Sequence, residues 1–387
     1  MLRKSNTRAA QGGGTIRQRK DGRWEARYTA GRDPGTGKQV QRSVYGATQQ
    51  EVRKKLAQLT AAIDTGTYKE PCKMTVGQWL DIWQQDYLGG VKPRTVEAYQ
   101  GTIKNHIKPA IGCIKLEALN AHTIQKLYND LSGELSAKTV KNVHGILHRA
   151  LQQAVKIDYI RFNPADGCEL PRVERKEIKP LDTEEIGAFL KCIQGHKFET
   201  VYIVTLFTGM RLGEVCGLLW DCVDFDKGTI HIDKQLQRIP GSRGQFRLIS
   251  TKNSKGRTIT PASSVMELLK RHRAQQNELR LKAGAFWHDD GYVFTTDTGE
   301  HLSPHTVYHN YKKVVEAIGL PDARFHDLRH SYAVAALQSG DDVKTVQENL
   351  GHHAAAFTLD VYGHVTEQMK RESAARMDAF IKSVSNL

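Results

Sequence analysis

The period of the hydrophobic positions changes several times along the chain, and each change predicts an element. From Thr15 to Lys20 and from Arg23 to Ala30 the residues alternate, joined at Asp21-Gly22, which reads as two strands and a tight hairpin turn. The alternation places Trp24, Ala26 and Tyr28 on one face and Arg23, Glu25 and Arg27 on the other. Val40 to Tyr45 supplies a third strand. Thr48-x-x-Glu51 then forms a capping box, and Val52, Leu56, Leu59 and Ile63 recur at helical spacing. The polar, glycine-rich residues 1–14 carry no such pattern and read as disordered until a partner orders them.

Residues 65–74 break the periodicity and read as a linker. Val76, Trp79, Leu80, Trp83 and Tyr87 follow as a core stripe behind a Thr75 cap. Further helices are predicted near 93–108, 121–131 and 136–157. Asn163 to Pro180, with three prolines, reads as a second linker. Asp182-x-x-Glu185 caps a helix that turns Ile186, Phe189, Leu190 and Ile193 inward. Helices near 198–208 and 211–219, strands around 228–235 and 245–260, and then mostly helices complete the chain. The last helix carries Met377, Phe380, Ile381 and Val384 on one face. The expected fold is a multidomain α+β chain: a three-stranded sheet plus helix over 1–65, a helical bundle over 75–162, and a mainly helical domain with a small antiparallel sheet over 175–387.

Charge changes this picture. Of the net charge of +14, residues 1–70 supply +9, from 15 Lys/Arg against 6 Asp/Glu. Such an excess favours a polyanionic partner, because basic side chains release the counterions condensed on phosphates. A sheet with Arg17, Arg19, Arg23 and Arg27 on its open face fits a major groove, where arginine reaches guanine edges. In the bundle, Arg94, Lys104 and Lys141, interleaved with Tyr99 and Tyr128, suit a nucleic-acid backbone. No apolar run reaches the eighteen or so residues that span a bilayer, and the basic N-terminus lacks the apolar core of a secretory signal. The expected setting is the cytoplasm, on DNA, with no membrane partner. The six cysteines form no CxxC pair and read as reduced core thiols.

The candidate chemistry lies in the last half. Thr208-Gly-Met-Arg211-Leu-Gly-Glu214, Ser250-Thr-Lys252-Asn-Ser-Lys255-Gly-Arg257, His326-Asp-Leu-Arg329-His330 and Leu350-Gly-His352-His353, followed by Tyr362, gather the side chains that phosphodiester attack requires. Two non-bridging oxygens carry the charge that resists a nucleophile, and arginine forks neutralise them bidentately. A tyrosine hydroxyl with a pKa near ~10 must lose its proton as it attacks. His326 is the acid/base candidate on that side, and His352 a hydrogen-bond donor to a non-bridging oxygen. Glu214, one turn after Arg211, would orient it. His326 and His330 also have the H-x-x-x-H spacing of a zinc helix. A zinc protease, however, wants Glu at the second position, and Arg329 would oppose a bound cation.

These boxes, in this order, resemble the tyrosine recombinase family, also called phage integrases. The resemblance covers 175–387 as catalytic domain and the two preceding segments as arm-binding and core-binding domains; the DVYGHV ending and basic sheet look most like integrases of conjugative transposons. It implies a site-specific recombinase with Arg211, Lys252, His326, Arg329, His352 and Tyr362 as catalytic residues. Lys252, with Lys255 in reserve, would protonate the leaving 5′ oxygen. The 3′-phosphotyrosyl bond stores the energy for rejoining, so no cofactor or metal is required. Its partners would be double-stranded DNA at crossover and arm sites, three further copies in a homotetramer, and an excisionase or DNA-bending helper. The rival readings are a type IB topoisomerase, which needs no arm-binding sheet, and a DNA-binding regulator that has kept the fold without the chemistry.

Overall fold

A computed structural model describes residues 15–32, 35–65, 73–174, 179–242, 244–251, 256–351 and 365–384, with side chains in the last segment from 373 onward. The chain divides into two compact units at residue 173.

In the first unit, β1 (Thr15–Gln18), β2 (Trp24–Arg32) and β3 (Gln39–Gly46) form an antiparallel sheet in that order. The register sets Glu25 between Arg17 and Tyr45, and Arg27 opposite Ser43. Helix α1 (Gln49–Asp64), capped by Thr48 through the Glu51 N–H at 3.2 Å, covers the other face. There Ala26, Tyr28, Val52 and Leu56 make a small core.

The bundle that follows consists of α2 (Val76–Asp86), α3 (Pro93–Thr102), α4 (Lys108–Ile111), α5 (Ala121–Glu134) and α6 (Ala137–Lys156). Val76, Trp79, Leu80 and Trp83 are buried as the spacing predicts, each large side chain contributing roughly 2–3 kcal/mol of apolar burial. The Trp79 indole finds its partner in the Ala150 carbonyl, at 2.9 Å. Tyr87 departs from the stripe; it caps α2 and is 38 % exposed. Between α3 and α4 the helix widens into a π-type turn at Ile103–Ile107. Pro109 explains it, since it offers no N–H to the Asn105 carbonyl and would collide with it in an ordinary α-turn.

The expected linker from Asn163 begins later. Asn163 is buried, donates to the His148 carbonyl and to Gln152 Oε1, both at 3.2 Å, and accepts from the Ala165 N–H at 3.1 Å. The Glu169 N–H donates to Gln125 Oε1 at 2.8 Å. An Asn-Pro turn whose side chain bonds its own backbone folds this stretch onto the bundle.

The second unit contains α7 (Thr183–Cys192), α8 (Glu199–Thr208) and α9 (Leu212–Cys216), then β4 (Val223–Asp224), β5 (Thr229–Ile232), β6 (Lys234–Arg238), β7 (Phe246–Ser250) and β8 (Arg257–Ile259). Among the described residues five helices follow: α10 (Ser263–Ala283), α11 (Pro304–Ala317), α12 (Phe325–Gln338), α13 (Val343–Leu350) and α14 (Val365–Val384). β4, β5 and β8 form one sheet, and β6 and β7 a separate hairpin. The strand expected over 245–260 is thus two strands in two sheets, divided after Thr251. An aromatic core of Phe189, Tyr202, Tyr311 and Phe325 holds α7, α8, α11 and α12 together. Met377, Phe380, Ile381 and Val384 lie exposed on α14. Among the described residues no helix is long and apolar enough to cross a membrane.

Candidate active site

Helix α8 ends at Gly209, whose φ of 64° is left-handed, and the chain then turns into α9 with Arg211 as its N-cap. A Cβ at Gly209 would lie 2.6 Å from both Leu350 Cδ2 and Tyr332 Cδ1. Glycine is therefore required here twice, for the backbone angle and for the close approach of α12 and α13. Arg329, on α12, is 1 % exposed and uses that proximity. Its Nη1 donates to the Gly209 carbonyl at 2.6 Å and its Nη2 to the Leu350 carbonyl. Both carbonyls close helices, where unsatisfied oxygens and the dipole favour a cation. One guanidinium thus ties the end of α8, beside Arg211, to the end of α13, two residues before His352.

Arg211 is held from the other side. Its Nη1 donates to Glu214 Oε1 at 2.7 Å, and its backbone N–H to Oε2 at 2.9 Å. Arg257, at the start of β8, reaches the same carboxylate with Nη1 at 3.1 Å and Nη2 at 2.7 Å, and donates from Nε to the Asn349 carbonyl at 2.7 Å. Glu214 is 1 % exposed. Burial alone would raise its carboxyl, but hydrogen bonds and charge from Arg257, with Arg211 behind them, outweigh it and hold the group down at about 2. It is an orienting anion at neutral pH, not a proton carrier. Arg257→Met would leave a buried carboxylate with half its partners and should cost about 3 kcal/mol. Chemical denaturation of the full chain measures this, and an unchanged midpoint would show that Arg257 is not needed to hold Glu214.

His326 and His330 face each other edge to face on α12, ring centroids 4.8 Å apart. Burial lowers both. For His326 the charges of Arg329 and Arg211 follow, for His330 the charge of His326, and each imidazole is pushed down to about 4. His326 keeps an exposed edge but lies in the field of both arginines, so it is neutral at pH 7 and able to accept a proton. Because these folded-state values lie below the ordinary value of about 6.5, protons favour the unfolded chain. The native state should lose stability as pH falls from about 6.5 towards 4, by at most about 3 kcal/mol for the buried ring of His330. Denaturation midpoints across that range test this; a flat profile, or one that His330→Gln does not flatten, would be against it.

Asp327, between the two histidines in sequence, is committed elsewhere: it accepts from the Arg324 backbone N–H at 2.7 Å and from Arg324 Nη2 at 2.8 Å, capping α12. Lys252, Lys255, His352, His353 and Tyr362 lie outside the described residues. The chain enters the lysine stretch from Thr251, whose N–H donates to the Asp233 carbonyl at 3.0 Å. Arg257 is the residue that sequence reasoning missed. It stands two positions after Lys255, but its pairing with Glu214 spans 43 residues, and no spacing in the chain signals it.

On the sheet of the first unit, Arg17 and Arg27 bond Glu25, while Arg19 and Arg23 approach Asp21 in the turn, at 3.5 and 2.9 Å. Arg94 and Lys104 are exposed and Lys141 is half-buried on the bundle.

Residues 179–369 match the model of the phage integrase family, and residues 75–132 that of its N-terminal SAM-like domain. A XerC-like tyrosine recombinase of Caldanaerobacter subterraneus subsp. tengcongensis is 31 % identical over 376 residues, covering 91 % of this chain and 95 % of the relative. The chain belongs to the phage integrase family of tyrosine recombinases. Among solved members, the Tn1549 transposon integrase in complex with a circular intermediate DNA superposes with a TM-score of 0.67 at 22 % identity, covering 79 % of this chain and 99 % of that one. A lambda integrase tetramer bound to a Holliday junction gives 0.56 at 20 %, covering 88 % and 96 %. Both likenesses show the fold, the first over 79 % of the chain and the second over 88 %.

Proposed function

We propose that this recombinase is the integrase of a mobile element, of conjugative-transposon type, that exchanges strands at a specific DNA site in the cytoplasm through a 3′-phosphotyrosyl bond to Tyr362. The observation that carries the reading is the joint at Gly209. Arg329 bonds the Gly209 carbonyl two residues before Arg211, and the charges of both arginines reach the imidazole of His326, which supports a shared place for the three groups.

In this mechanism the two guanidinium forks take the non-bridging oxygens of the scissile phosphate. Neutral His326 relieves the Tyr362 hydroxyl of its proton as that oxygen attacks phosphorus in line. The bond from phosphorus to the 5′ oxygen breaks, Lys252 protonates the leaving oxygen, and His352 donates to a non-bridging oxygen. Attack by a partner strand's 5′ hydroxyl reverses each step, so the ester's energy is conserved. Exchanging both strands of two duplexes takes four such sites, which fits a homotetramer around a junction. The arginine sheet would hold a separate arm site and the bundle the crossover site, two contacts reinforcing one another through effective concentration. A topoisomerase has no use for that sheet.

The test is a duplex of the crossover site nicked just past the cleavage position, so that the short 5′-hydroxyl strand diffuses away after attack. Incubated with the protein in EDTA, it should give a protein–DNA band that survives a denaturing gel. A cut that leaves no covalent band and requires a divalent metal would overturn the mechanism.

A further inference from the structure

The face of the N-terminal sheet that carries the arginines also carries a carboxylate. On a surface meant for DNA this is costly, since an anion repels phosphates and subtracts from the counterions released. Glu25 is moreover 3 % exposed, a rare condition for this residue type unless it is paired. It sits near the start of the middle strand, with Arg17 opposite on one side and Tyr45 on the other. Oε2 accepts from Arg17 Nε at 2.8 Å, with Arg17 Nη2 at 2.7 Å from the same oxygen. Oε1 accepts from Ser43 Oγ at 2.9 Å and from Arg27 Nε at 3.4 Å. These neighbours, Arg17 first and Ser43 next, keep the carboxyl ionised and lower it to about 2.

The way the forks are held is informative. In Arg17 the carboxylate takes the Nε–Nη2 side of the guanidinium, and in Arg27 the Nε. The opposite end of each fork, Nη1 with the outer hydrogens of Nη2, is the edge that pairs with guanine O6 and N7. The side chains of Arg17 and Arg27 remain 59 % and 50 % exposed. A long arginine that is fixed before binding loses less rotamer freedom on contact, and a fork fixed in angle discriminates between bases better than one that swings.

We propose that Glu25 is a specificity-determining positioning residue, a buttress that aims the forks of Arg17 and Arg27 at guanine edges of the arm site and gives up some non-specific affinity in return. This rests on the arm-binding reading of the sheet. It separates two quantities that ordinary charge counting joins. Removing the negative charge should strengthen binding to arbitrary DNA and weaken the choice among sequences.

The experiment uses the full-length chain as wild type, as Glu25→Gln, and with Arg17→Ala and Arg27→Ala combined. Each is bound to a pool of short duplexes with a randomised central stretch, and the retained duplexes are sequenced. Affinity for one unselected duplex is then followed against salt. Wild type should enrich a guanine-containing element that the double arginine variant does not. Glu25→Gln should lose about ten-fold of the guanine preference within that element, with a salt slope on the unselected duplex that is unchanged or steeper. Guanine preference equal to wild type would overturn the buttress while leaving the arm-binding sheet in place. A preference and a salt slope that fall together would also overturn it, by showing that Glu25 is needed for the sheet to fold. If wild type and the double arginine variant enrich the same sequences, the arm-site reading itself fails, and the buttress with it.

Discussion

Tyr362→Phe is expected to abolish the covalent adduct on the nicked duplex, reducing strand cleavage by at least about 10⁴-fold, the scale on which loss of a nucleophile is felt in other covalent enzymes. The substitution removes one oxygen and leaves the ring, so DNA binding should stay within a few-fold of wild type. Among the described residues the other charged groups of the site are already engaged. Glu214 is already bound by two arginines and Arg329 by two carbonyls. Neutral His326 can accept a proton, but an imidazole adduct would be an acid-labile phosphoramidate. The gel therefore reports the identity of the nucleophile directly. An adduct that forms at the wild-type rate would move the reaction to another of the 13 tyrosines and sink the assignment.

Arg329→Lys should be nearly as damaging, although charge is conserved. A lysine offers a single compact ammonium and cannot meet the Gly209 and Leu350 carbonyls while presenting a planar fork to phosphate. Loss of one preorganised donor to a developing charge lowers rates about 10²- to 10³-fold, and a buried carbonyl left without a partner costs about 1–3 kcal/mol. The two effects are separable. Single-turnover cleavage at a temperature well below the variant's melting transition gives the first, and denaturation midpoints give the second. A cleavage rate within three-fold of wild type would mean that Arg329 serves the joint between α8 and α13 and not the phosphate.

The hydrophobic periods predicted most of the architecture because local rules govern it. Thr48, Thr75 and Asp182 cap their helices through the backbone N–H three residues on, and Val76, Trp79, Leu80 and Trp83 face inward as their spacing requires. The errors fall where a non-local contact decides. Asn163 reads as linker until His148 and Gln152 are beside it, and the strand expected over 245–260 breaks because its halves pair with different partners. The site divides in the same way. Arg211, Glu214, His326 and Arg329 are legible because each sits within a short box. The pairings of Arg257 with Glu214 and of Arg17 with Glu25 are not, because a guanidinium 43 residues from its carboxylate, or one on the neighbouring strand, leaves no mark in sequence spacing.

Every single-base change of a glycine codon that substitutes another amino acid introduces a Cβ. At position 209 that atom would arrive 2.6 Å from two neighbouring side chains, on a backbone angle that L-residues resist. No single-base change that replaces this glycine is therefore neutral. In a cell that gains from keeping an element lodged in its chromosome, the codon is a one-step inactivation target, and silenced copies of this integrase should carry lesions at Gly209 out of proportion to its single residue.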